Sequence, residues 1–498
     1  MFYLETARVL RTCSYFSPST IIVSIYNLVH HMLLYCEEKD MKKQILCFIV
    51  LLCATFCFSQ TQIDSVKIKT YLDDVVKAYH IPGMAFYITT PSETLLEKTY
   101  GQCSSFDQQF FIGSESKSFT ALCIMQLVES GKLNLDDDIT KYVDGYSFSQ
   151  TVTVQDLLNQ TSGFGTHMKL SNVKAKRSYK RHEYANVNYD LLGKIIEAVS
   201  GKSYAQYVNE NIFTPLGMTL SSADSQSVKG SEHLLKGNRN WFGFFIPSDA
   251  DYPKESSWFH EPAGFIATTA YDHQKYLRMY LNNGRTEDGS SIISKEAIQV
   301  MWYNNVPIDK ENSAYYGMGW NYMNYKDTDI IFHGGQVENY ITYMFILPQK
   351  NLAVSFMING NDEFGMNALM DKVFWNLLSL LFNQEAKPVQ PFAYALRHIL
   401  LDILYFAMLS LSVLTFIAAL TKKKVRGGIA KTICLNILSY ILWPTLLLTF
   451  TRVFFSTPLW VVKSYVPDLF FVIVLSVVIT LTGGIIKVIR FAFLDKAQ

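Results

Sequence analysis

Charge of one sign is what this sequence most conspicuously lacks. Lysine and arginine number 44 against 43 aspartate and glutamate in 498 residues, and only 17% of the chain is charged. Without a basic excess no surface can replace the counterions of a phosphate backbone, so nucleic-acid binding is excluded as an expectation. Few charges combined with 14% aromatic residues equally exclude a disordered chain. Cysteine is scarce where staples would matter. Only Cys103 and Cys123 fall between residues 60 and 386, and because Cys123 lies on an apolar helical stretch, two buried thiols are expected rather than a bridge. The ten histidines show no ligand spacing such as His-Glu-x-x-His, so neither a metal nor another cofactor is expected. Internal repeats and low-complexity tracts are absent as well.

Long apolar runs are present, and they lie at the two ends. The mean hydropathy of +0.11 over this length implies that part of the chain sits in lipid. From Met41 the chain reads two lysines, an apolar run Ile45 to Phe58, and small Ser59 before Gln60, which is the pattern of a secretory signal peptide over 41–59. Residues 1–40 then read as an upstream mis-start. The rival anchor, Ile21 to Tyr35, is short for a span and contains His30 and His31. Cys57 follows bulky Phe56, where lipid-attachment signals carry a small residue. Three runs near the other end, 403–420, 433–451 and 469–486, are each long enough to cross a bilayer as a helix. Lys422, Lys423, Lys424, Arg426 and Lys431 separate the first two, whereas Lys463 is the chief cation in the loop between the second and third. The positive-inside rule puts the lysine-rich loop and the C-terminus in the cytoplasm and everything before the first span outside. A multi-pass membrane protein with an extracytoplasmic domain over 60–386, a linker over 387–398 and a membrane region over 399–498 is expected.

Within the domain, residues 62–79 read as a helix, and 83–90 with 94–101 as a hairpin about Pro91 and Ser92. Residues 328–335, 340–348 and 352–359 read as three more strands, followed by an apolar helix over 366–382. Strands at both ends enclosing a helical middle predict an α/β (α+β) fold. Its sheet is largely antiparallel, flanked by helices, with a helical subdomain, and closes where the domain's two ends meet.

The chemistry begins at Ser114 and Lys117. They sit three apart at the start of a helix whose apolar positions run from Phe119 to Val128 and which Gly131 stops. A serine there suits a nucleophile, and a desolvated lysine beside it can take its proton. Alone the pattern also describes a capped surface helix, and Ser171 with Lys174 repeats it in a polar loop. Its company decides. Tyr184, Ala185 and Asn186 precede an amphipathic helix, and His333, Gly334 and Gly335 close a strand. With QTSGF (160–164), FTPLGM (213–218), PAGFIATTAYD (262–272) and YGMGW (316–320) in order, residues 65–385 resemble the class C type of serine β-lactamase-like hydrolases. Related D-Ala-D-Ala carboxypeptidases, D-aminopeptidases and esterases share the pattern.

That resemblance implies a β-lactamase/transpeptidase-like fold and an acyl-enzyme mechanism. Ser114 would attack a carbonyl, Lys117 and Tyr184 would shuttle the proton, and Tyr184 would need Lys117 to hold it as a phenolate. Asn186 would bond substrate and Lys117. His333 stands where many relatives carry the lysine of Lys-Thr-Gly, Gly335 would let a substrate lie against the strand edge, and the N–H of Gln336 would be the second oxyanion donor. Asn339 replaces a glycine frequent in relatives. Expected substrates are amides, peptides or esters, with peptidoglycan stem peptides and β-lactams among them. The competing readings are a penicillin-binding sensor without turnover and a structural membrane protein that retains the pocket. The basic run Lys174, Lys176, Arg177, Lys180 and Arg181 reads as a solvated loop. Trp241, Phe242, Phe244, Phe245, Trp258 and Phe259 read as core packing, or as an apolar substrate wall.

Overall fold

The computed structural model describes residues 63–174, 180–309, 311, 313–421 and 428–490. The start-site and signal-peptide expectations, and Lys422 to Lys424 with Arg426, lie outside the described residues. The helix Ser65–Ala78 opens the domain and buries Ile68, Tyr71, Leu72 and Val75, one stripe at three- and four-residue spacing. Thirteen strands follow among the described residues. They are β1 Gly83–Thr89, β2 Thr94–Gly101, β3 Gln109–Phe111, β4 Gly237–Trp241, β5 Phe244–Ser248, β6 Ala267–Thr269, β7 Val306–Pro307, β8 Tyr315–Gly317, β9 Trp320–Tyr325, β10 Thr328–Val337, β11 Tyr340–Leu347, β12 Leu352–Ile358 and β13 Gly360–Asn361.

The main sheet has the order β2-β1-β12-β11-β10-β9-β8-β7 and is antiparallel throughout. Its closing pair is β1 with β12, in the register Met84↔Ile358 through Thr89↔Ala353, so the two ends of the domain are joined as the sequence pattern requires. Both strands are buried along their whole length, which is why they read as continuous apolar runs. The helices Ser65–Ala78 and Asn367–Leu381 pack together on one face, where Phe374 meets Phe332, Tyr343 and Phe345. The helix Ala270–Leu281 covers β1 and β12 on the other. The helical middle is built around Ser116–Glu129, which is buried on nearly every side and packs on Asn186–Ser200 and Glu261–Gly264. Cys103 and Cys123 are buried and unbridged.

Among the described residues three helices are long and apolar enough to cross a membrane: Pro391–Leu420, Ala430–Phe455 and Pro467–Ile489. The first starts inside the stretch expected as linker, because Pro391 sits in the first turn, where a missing N–H costs nothing. At about 1.5 Å per residue its 30 residues exceed the hydrocarbon thickness, so its first turns reach beyond the apolar run. The second contains a π-helical turn, Leu438–Leu442, directly before Pro444, whose absent N–H breaks the regular ladder.

Of the aromatic set, Phe259 packs in the core as expected, stacked on Phe265, whereas the aromatics of the β4–β5 hairpin depart from both sequence expectations. Trp241 packs on Phe471 and Phe242 on Tyr405, both on the apolar helices, and the Phe242 N–H donates to Asp468 at 3.2 Å. Phe244 is 75% exposed. Trp258 lies against Trp460, from the short helix Leu459–Tyr465. These side chains mainly form the seam between domain and apolar helices, which local sequence does not reveal.

Candidate active site

A 3-10 turn, Gly113–Glu115, feeds directly into the helix Ser116–Glu129, so Ser114 and Lys117 are one turn apart on the same face. Lys117 Nζ donates to Ser114 Oγ at 3.0 Å, to Asn186 Oδ1 at 2.8 Å and to the Ala263 carbonyl at 2.5 Å. The lysine is fully buried among these neutral oxygens. Burial therefore pulls its pKa down to about 7, against an opposing pull from the Asp190 charge. Tyr184 is half-buried, with its ring against Tyr316 and His333 and its phenol in hydrogen-bonding contact with Ser114. Lys117 Nζ lies over the face of this ring, 4.9 Å from its centroid.

A Tyr184 phenolate, the form in which it would act as a base, is not what this environment favours. Burial raises its pKa well above 10, Tyr316 adds to the rise, and the Ser114 contact only opposes it. The protonated phenol is a donor, and the group that titrates near neutrality is Lys117. The other buried pair, beside Ser114, is uncharged: burial raises the Glu115 carboxyl and lowers His273, 3.6 Å away, to about 3.

His333 is buried near the end of β10, with Nδ1 2.7 Å from its neighbour's carbonyl, Gly334 O. That contact makes Nδ1 the protonated nitrogen and leaves Nε2 an acceptor. Burial, with Lys117 nearby, lowers the imidazole pKa to about 3. His333 is thus neutral, unlike a lysine at the same place.

Two glycines bring β10 and the turn of Ser114 together. A Cβ on Gly113, whose φ is +51°, would lie 2.1 Å from the Gln336 nitrogen. A Cβ on Gly335 would lie 1.8 Å from the Ile112 carbonyl oxygen and 2.5 Å from Thr342 Oγ1. The room that Gly335 provides is thus taken by the backbone before Ser114, not held open for substrate. Pairing of β9 with β10 ends at Phe332, so from His333 to Val337 the strand is paired with β11 alone among the described strands. Gln336 accordingly places its main chain beside the turn of Ser114.

Other residues brace this centre; Gln160, Ser162 and the 262–266 segment fall within the scaffold phrases, while Asn188, Asp190 and His260 lie in none of them. Gln160 Oε1 accepts from the Ala185 N–H at 3.0 Å and from Asn188 Nδ2, and Ser162 Oγ donates to Asn188 Oδ1 at 2.7 Å. Together they hold the loop of Tyr184 and Asn186. Asp190 accepts from the His260 N–H and faces its Nδ1, both at 3.0 Å, at the head of the segment that ends in the Ala263 carbonyl. Ser116 and Thr120 bond Ile266 N–H and Pro262 carbonyl, fixing the same segment to the helix Ser116–Glu129. Ser171 and Lys174, the second spacing match, are exposed and stand apart from this cluster. In the basic run, Lys180 pairs with Asp156 at 2.7 Å, and Lys176 and Arg177 lie outside the described residues.

Residues 68–373 match the family model described as Beta-lactamase. Protein flp of Staphylococcus aureus (strain N315) is 26% identical over 337 residues, 61% of this chain and 64% of that protein. The chain thus spans slightly less than two thirds of the length of the first such relatives. Among solved structures, the octameric penicillin-binding protein homologue from Pyrococcus abyssi superposes with a TM-score of 0.56 at 28% identity, covering 67% of this chain and 81% of that one. The D-amino acid amidase from Ochrobactrum anthropi SV3, complexed with L-phenylalanine, gives 0.52 at 25% identity over 63% and 98%. With the family model matching more than half of its length, and the same fold in these solved neighbours, the chain belongs to the beta-lactamase family.

Proposed function

We propose that this protein is a membrane-anchored serine hydrolase whose catalytic domain faces away from the cytoplasm and which works through an acyl-enzyme. The observation that carries the reading is the 3.0 Å contact between Ser114 Oγ and the amine of Lys117, buried and with its pKa lowered to about 7. A lysine that is partly neutral at physiological pH can take the serine proton as Oγ attacks a carbonyl carbon. The negative charge that forms on the carbonyl oxygen is met by the N–H groups of Ser114 and Gln336. Tyr184, held protonated, gives its proton to the leaving nitrogen or oxygen and is reprotonated from Lys117. Water then attacks the acyl-enzyme, restores the Ser114 hydroxyl and releases the acid. Asn186 fixes the lysine, and His333 offers an acceptor to the bound substrate.

The substrates are amides, peptides or esters, peptidoglycan stem peptides and β-lactams among them. Two solved relatives are, by name, a penicillin-binding protein homologue and a D-amino acid amidase, and both names fit acyl transfer. Intact-protein mass spectrometry, followed over time after addition of a fluorescent penicillin and of an activated ester, tests the reading. A mass increase on Ser114 that decays with product release is expected, and Ser114→Ala should abolish it. Turnover that survives in Ser114→Ala would overturn the proposal.

A further inference from the structure

The apolar helices do more than lie near the domain: their ends grip the loop that anchors Gln336. The Gln336 side chain donates from Nε2 to Glu363 Oε2 at 2.5 Å and to Asn361 Oδ1 at 3.2 Å. Asn361 Nδ2 in turn bonds the Val337 carbonyl, and Asn367 Nδ2 ties Asn361 and Glu363 together at 2.7 and 3.4 Å. The last two residues of β10 are therefore tied to the turn 361–367. Asp362, between the two anchors, accepts from the Gly365 and Met366 N–H groups at 3.0 and 3.1 Å. It also faces Nε2 of His398, in the first apolar helix, at 2.9 Å.

The approach is close, and any side chain at 365 would have to push the Asp362 and His398 ends aside. A Cβ on Gly365 would come within 2.3 Å of His398 Nε2 and 2.2 Å of Asp362 Oδ2. Arg397 adds a bond to the Phe364 carbonyl at 3.3 Å. The second route is β13, which pairs in parallel with β4, and the β4–β5 tip ends on Asp468 and Tyr405 of the apolar helices. The small sheet β13-β4-β5 is thus held at the turn 361–367 and at its hairpin tip by those helices, and bears on the active-site end of β10 through Asn361, Glu363 and Gln336.

We propose that Glu363 is a positioning residue for Gln336, and that the apolar helices, through His398 and Asp362, hold Glu363 and the end of β10 in the geometry that binds the oxyanion. The catalytic half rests on the serine-hydrolase reading above. A donor displaced by about 1 Å can lose roughly two orders of magnitude in rate, so a strand end fixed from outside the domain is a direct way for the membrane region to govern chemistry.

The test uses the full chain in lipid nanodiscs, with wild type, Glu363→Ala, Glu363→Gln and His398→Ala. Two measurements run together. Acylation by a fluorescent penicillin and by p-nitrophenyl acetate is split into rate and apparent affinity, and hydrogen exchange is followed over 333–337 with 84–89 as the internal reference. Glu363→Ala and His398→Ala should each slow acylation by about tenfold or more with little change in apparent affinity. Both should also speed exchange at 333–337 and leave 84–89 protected. Glu363→Gln, which keeps an oxygen acceptor, should recover most of both. Unchanged exchange at 333–337 in both alanine variants overturns the proposal, as does faster exchange with unaltered acylation. If wild type fails to be acylated by either probe, the serine-hydrolase reading falls on that observation alone, and the exchange arm still decides whether the apolar helices hold the strand end.

Discussion

An ammonium group stripped of water and given three neutral oxygens in exchange holds its proton weakly, and burial accordingly pulls the Lys117 pKa down to about 7. The sign of its effect on rate follows. With the neutral amine as the proposed base, acylation should fall as pH drops through about 7 and level off above it. His333 should add no second limb above pH 5, since burial lowers its pKa to about 3. Asp190 raises the proton affinity of Lys117, so Asp190→Asn should lower the lysine pKa and move the limb to lower pH. Its loss also frees His260 and the segment carrying the Ala263 carbonyl, and the limb should therefore move while the plateau drops. A pH series of acylation rates for wild type and Asp190→Asn checks both statements, and a limb that stays put would remove Asp190 from the electrostatics of the site.

At the scale of elements, the long buried strands and the helices at the two ends of the domain were legible, whereas the three-residue strands β3 and β6, buried throughout, are too short to leave a pattern. Residues 328–335, 340–348 and 352–359 correspond to β10, β11 and β12 because apolar runs broken by turn residues leave few other ways to bury them. The purpose of Gly335 was not legible, since its constraint comes from Ile112, more than 200 residues earlier. Gly335→Ala tests the difference. The added methyl would collide with the Ile112 carbonyl, and backbone cannot swing away as a side chain does, so a loss of about 3 kcal/mol or more is expected. Gly131→Ala is the control: φ is +69° with nothing within 4 Å, so it should cost about 1 kcal/mol of backbone strain. Thermal melting and Ser114 acylation should both collapse in the first and barely change in the second. A stable, fully reactive Gly335→Ala would show that strand and turn are not locked together as described.

Across the whole molecule, the seam between domain and apolar helices was the least legible feature. Trp241 and Phe242 meet Phe471 and Tyr405 far along the chain, and the sequence of the hairpin carries no sign of these partners. The topology, by contrast, rests on the lysine-rich loop and the signal-peptide pattern after Met41, and it makes a sharp prediction. If the lysine-rich loop faces the cytoplasm, the three spans put the domain and the short helix Leu459–Tyr465 on the same, opposite side. Trp460 of that helix does pack against Trp258 and His167 of the domain, as elements on one side of a bilayer must to meet. Single cysteines at Glu232 and Lys463, both exposed, should react with a membrane-impermeant maleimide in intact cells. One at Lys423 should react only after permeabilisation. The native thiols supply the background to subtract, Cys103 and Cys123 being buried. Lys423 labelled from outside, with Glu232 protected, would invert the molecule in the membrane and place Ser114 on the cytoplasmic side, against the proposed topology.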